Sequence, residues 1–93
     1  MSNKLSCLIV RGCKAESHDD IVQTAFQLGE QVFTGDALLA SGLLEIAAKL
    51  IFENSVNSFD LLFLAQLQSI SDDLCPTGMS VLAWLKVSLL DGA

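Results

Sequence analysis

The stretch that most constrains this chain runs from Asp20 to Asn54. Val22, Ala25, Phe26, Leu28, Gly29, Val32 and Phe33 recur at spacings of three and four, and so do Leu39, Ala40, Leu43, Leu44, Ala47, Leu50 and Ile51. That period is the signature of helices with one apolar face. Between the two sets, Thr34-Gly35-Asp36 supplies a tight break. Two apolar stripes on either side of a short turn fold back on one another. Ala25, Gly29, Ala40 and Ala47 stand among larger neighbours, so the two helices can approach closely while the bulky residues fill the gaps.

The order of small and large residues resembles the tetratricopeptide repeat. Leu28-Gly29, Val32, the Gly35-Asp36 turn, Ala40, Leu44 and Ala47 fall in sequence on the positions that mark that repeat. The chain departs from the pattern in three places. The spacer between Val32 and Gly35 is one residue short, Ala25 replaces a Trp, and Phe52 stands where Pro is usual. The likeness covers about a third of the chain and implies a helical hairpin stacked on neighbours of the same kind.

The rest of the sequence supplies those neighbours. Leu5, Leu8 and Ile9, with Cys13 one turn beyond, predict a first helix over residues 4–14, weakened by Gly12 at about 1 kcal/mol relative to Ala. Ser17 precedes Asp20 at capping-box spacing, so the second helix starts near His18 and ends near Phe33, and Asp19 and Asp20 suit its positive end. Asp36 caps a third helix reaching about Glu53, and Asn57 or Ser58 caps a fourth over 59–70. Pro76 and Gly78 punctuate the way to a fifth helix over 79–90. Short connections predict antiparallel neighbours. The expected architecture is therefore one all-α domain, residues 1–93, of about five short antiparallel helices stacked as tetratricopeptide-like hairpins.

Composition narrows what such a domain does. Hydrophobic residues make up 52% and charged residues 17%, and the mean hydropathy is +0.53. A domain this small leaves much of its surface in water, and too few charges are available to cover it. The sequence thus predicts an apolar patch awaiting a partner. The longest charge-free run, Leu61 to Ser71, is far shorter than the roughly 20 residues that a membrane helix needs. The first residues lack the cleavage site of a signal peptide, so the expected compartment is the cytoplasm. A net charge of −6 with five basic residues dispersed along the chain argues against nucleic-acid binding.

No catalytic constellation is visible, and the expectation is a protein that is not an enzyme and carries no cofactor or metal. Cys7, Cys13 and Cys75 lack the short-spaced pairs of a zinc site and read as reduced, small apolar residues. His18 lies between Ser17 and Asp19, and adjacent side chains on a helix point apart, so no relay forms. Asp72-Asp73 ends a helix rather than ligating calcium. Ser41, inside a helix and preceded by Ala40, lacks the motif on which an acyl carrier protein bears its prosthetic group.

Taken in order, the pieces also resemble the small chaperones of type III secretion systems, of the YscG/EscG type. The likeness rests on Lys4-Leu5 with Leu8, the polar turn Ser17-His18, the repeat-like hairpin, and the segment Ala83-Trp84-Leu85. It implies a non-enzymatic chaperone that holds the C-terminal amphipathic helix of a needle-forming subunit and prevents premature polymerisation. It also implies a small coiled-coil co-chaperone bound along Leu5, Leu8 and Ile9. In repeat arrays the concave wall comes from the first helix of each pair, which would bring Val22, Phe26 and Phe33 beside Phe59, Leu62, Phe63 and Gln66, with Trp84 completing an apolar groove. The plainer alternative places the aromatic residues in the core. The other functional reading is a helical adaptor or regulatory module unrelated to secretion.

Overall fold

The breaks in the sequence are the breaks in the chain. A computed structural model describes residues 4–90, and among these it shows five α-helices and no strand. They are α1 (Lys4–Cys13), α2 (His18–Val32), α3 (Ala37–Phe52), α4 (Ser58–Ile70) and α5 (Val81–Leu90). α2 to α5 each start where a short polar side chain satisfies free backbone N–H groups. The Ser17 hydroxyl accepts from the Asp20 N–H at 3.1 Å. The Asp36 carboxylate accepts from Leu38 and Leu39 at 3.0 and 3.2 Å. Asn57 and Asp60 form a reciprocal capping box, each side chain accepting from the other's backbone N–H, at 2.9 and 3.0 Å. α5 begins later than the pattern suggested. Its first turn is taken up by a Met79 N–H to Pro76 carbonyl turn, and Ser80 Oγ accepts from the Ala83 N–H.

The break between α2 and α3 closes on a single carbonyl. Gly29 O accepts from both Phe33 N and Gly35 N, at 2.8 and 2.9 Å. Gly35 takes a φ of +93°, open to a residue without Cβ. Thr34, at φ +50°, holds the same left-handed region despite its branched side chain, with its hydroxyl donating to the Phe33 carbonyl at 2.7 Å.

α3 is the central element: α1, α2, α4 and α5 all pack against it. Its buried residues, Ala40, Leu43, Leu44, Ile46, Ala47 and Leu50, share one broad face. Leu28 from α2, Leu64 and Leu67 from α4, Leu74 from the last connection, and Val81, Trp84, Leu85 and Leu89 from α5 complete one core. Each fully buried Leu, Ile or Phe contributes about 1.5–3 kcal/mol to holding it.

α1 settles the topology. It lies against α2, α3 and α5, whereas α2 and α4 do not touch. The expectation that the second and fourth helices share a concave wall is therefore not met: α2 packs on α1 and α3, and its Val22 and Phe26 stay exposed. With extents of 33 × 31 × 29 Å the bundle is nearly isotropic, unlike an elongated array. Gly12 explains how α1 comes so close. A Cβ there would meet Thr24 Cγ2 at 2.7 Å and Leu44 Cδ2 at 2.8 Å. The residue that weakens α1 as an isolated helix is the one that seats it between α2 and α3.

Candidate functional site

The eight residues expected to line a groove divide into three groups. Phe33 and Trp84 are core, 1% and 4% exposed, so neither reaches a surface groove. Val22 and Phe26 are exposed on α2, on a helix that α4 does not contact. Phe59, Leu62, Phe63 and Gln66 lie together on α4 at spacings of three and four, and all but half-buried Phe63 are exposed. The structure thus assembles half of the expected lining, and from one helix rather than two.

The co-chaperone surface expected along α1 is also corrected. Leu5, Leu8 and Ile9 are 9%, 7% and 0% exposed and belong to the core. Sequence periodicity identified the apolar face of α1. It could not tell that α2, α3 and α5 would cover that face from within the same chain.

Phe59 and Phe63 of α4 line a depression against α3, and exposed Leu62 follows Phe59 by three residues on the same helix. The tip of the Phe63 ring points at Gly42: a Cβ there would stand 2.5 Å from Phe63 Cζ. Gly42, Glu45 and Ile46 of α3 and Phe59, Asp60 and Phe63 of α4 enclose a depression of about 260 Å³. Phe59 is 81% exposed at its rim. Leu38, 83% exposed, sits one turn before Gly42 on α3. A second shallow depression, about 220 Å³, separates Leu61 and Ala65 of α4 from Val81 and Leu82 of α5. α4 is therefore a ridge with an apolar furrow on each side. Ordinary apolar surface residues occur singly, whereas a cluster of this kind marks a contact surface.

One ion pair fixes the walls of the first depression. Lys49 Nζ on α3 donates to both carboxylate oxygens of Asp60 on α4, each at 3.1 Å. The Asn57 backbone N–H, and then the Lys49 ammonium, hold the Asp60 carboxyl below the usual carboxylate range, against the opposing effect of burial. Asp60 thus both caps α4 and ties it to α3. Neither Gly42 nor this pair was singled out by sequence reasoning. A glycine in an apolar helix gives no sign of what packs on it, and a contact spanning 11 residues has no local pattern.

Among the described residues no group of three or more His, Cys, Asp or Glu is placed to hold a metal ion. Cys13 and Cys75 are half-buried, and burial pushes both thiols up, away from the thiolate that reacts. Cys75 Sγ donates to the Met79 carbonyl at 3.1 Å. Cys7, expected as a small apolar residue, is exposed on the outer side of α1. Among the described residues no helix is long and apolar enough to cross a membrane. No protein-family model, curated protein or solved structure matches this chain.

Proposed function

We propose that this chain is a non-enzymatic chaperone or adaptor that holds an amphipathic helix of a partner protein along the furrow between α3 and α4. The supporting observation is the exposure of Phe59 at 81% and Leu62 at 62%, beside half-buried Phe63, on a helix whose inner side is firmly packed. Side chains at spacings of three and four along a furrow suit the complementary stripe of a second helix. Gly42 makes room for the Phe63 ring, which forms one wall of the depression. Apolar burial at about 25 cal/mol per Å², less the cost of ordering the partner, supplies the binding energy.

The likeness to the needle-subunit chaperones of type III secretion systems suggests the client. The chain would occupy the surface through which needle subunits polymerise and release it at the export machinery, acting in the bacterial cytoplasm. A coiled-coil co-chaperone would need a contact other than Leu5, Leu8 and Ile9, which the bundle has already enclosed. An adaptor unrelated to secretion would use the same furrow for a different helix. Co-expression with a needle-forming subunit separates the two. Capture of that subunit is expected, and Phe59→Ala or Leu62→Asp should weaken it at least tenfold, about 1.4 kcal/mol or more. Circular-dichroism helicity should be retained in both variants. Helicity lost in step with binding would show those side chains to be part of the fold.

A further inference from the structure

The charge around the furrow identifies the chemistry of the helix it takes. Between Ala37 and Ile70, α3, α4 and their connection carry three acids, Glu45, Glu53 and Asp60, against one base, Lys49. That base is already held by both oxygens of Asp60. Glu45 lines the same depression as Phe59 and Phe63, is exposed, and among the described residues has no ion-pair partner. α4 itself bears no Lys or Arg, and α1, with Arg11, does not reach it. The depression is therefore mostly apolar, with the exposed Glu45 carboxylate in its lining beside the paired Asp60, in a chain of net charge −6.

From this we infer that the occupant is a basic amphipathic helix: its apolar stripe lies on Phe59, Leu62 and Phe63, and a Lys or Arg flanking that stripe pairs with Glu45. The inference rests on the helix-docking reading above and sharpens it. A second copy of the chain is the poorer occupant, because two such faces would bring Glu45 and the net negative charge of each copy together. An acidic helix is disfavoured for the same reason.

Three fluorescently labelled peptides of equal length test it against the full chain by anisotropy. One carries a Leu/Ile stripe at i, i+3, i+4 and i+7 flanked by Lys, one has the same stripe flanked by Glu, and one is the Lys peptide scrambled. At low ionic strength the Lys-flanked helix should bind about fivefold tighter than the Glu-flanked one, and the gap should narrow in about 0.3 M salt. Glu45→Lys, an exposed change, should abolish the preference. Phe59→Ala should weaken both striped peptides alike and leave their ratio intact. Equal binding of the Lys and Glu helices, or a preference unaffected by Glu45→Lys, would overturn the charge assignment while leaving helix docking in place. Scrambled and striped Lys peptides binding alike would overturn docking itself. Sedimentation showing a dimer that Phe59→Asp dissociates would make a second copy the occupant and overturn the inference.

Discussion

α3 and α4 are both rich in Leu and short of charge, yet the bundle treats them in opposite ways. α3 buries six residues, all apolar, and is packed against by all four other helices. α4 buries only Asp60, Leu64 and Leu67 and leaves Phe59, Leu61, Leu62 and Ile70 more than two-fifths exposed. Apolar content therefore does not decide which helix is core. The number of neighbours that the topology provides decides it, and α1 is spent on α2, α3 and α5 rather than on α4.

The same lesson holds at the scale of one methyl group. A Cβ on Gly12 and a Cβ on Gly42 would both intrude within 2.8 Å of a side chain. At Gly12 the neighbours are Thr24 and Leu44, 4% and 3% exposed, with nowhere to move. At Gly42 the neighbour is the half-buried Phe63 ring, which can swing toward solvent. One glycine guards stability and the other guards the shape of the furrow.

Substitutions at matched positions put the contrast between the enclosed and the open side to the test. Phe33→Ala should cost about 3–5 kcal/mol in denaturant unfolding, while Phe59→Ala should stay within about 0.5 kcal/mol. Similar losses at both positions would erase the distinction. Gly12→Ala should destabilise by about 1–2 kcal/mol, since overpacking outweighs the gain in helix propensity. Gly42→Ala should leave stability within about 1 kcal/mol of the parent and instead reduce capture of the striped peptides.

The pair that ties the two sides together has a pH signature. Because the Asp60 carboxyl is depressed in the folded protein, its contribution is present above the ordinary carboxylate value of about 3.9 and is lost as pH falls through its folded value. Asp60→Ala should therefore lower stability by about 1–2 kcal/mol at neutral pH, through the lost cap and ion pair. The deficit should shrink in acid as the parent protonates. A deficit independent of pH would show that the ion pair contributes nothing. A small gain is expected at the turn before α3: Thr34→Gly should stabilise by about 0.5–1 kcal/mol by relieving its left-handed backbone.

Local chemistry was enough to place the helices. Ser17, Asp36 and Asn57 start them where the sequence expects, and residues near 13, 33, 53 and 70 end them, because capping and backbone strain act within a few residues. The apolar face of α1 was legible for the same reason. What covers each face was not, since periodicity orients a stripe about its own helix axis and says nothing of the neighbour across from it. Only the packing of α1 into the gap between α2, α3 and α5 put Leu5, Leu8 and Ile9 inside, in one core with Phe33 and Trp84. The same packing left Phe59 and Leu62 outside, on a helix apolar nearly all round, where burial depends on distant parts of the chain meeting in space.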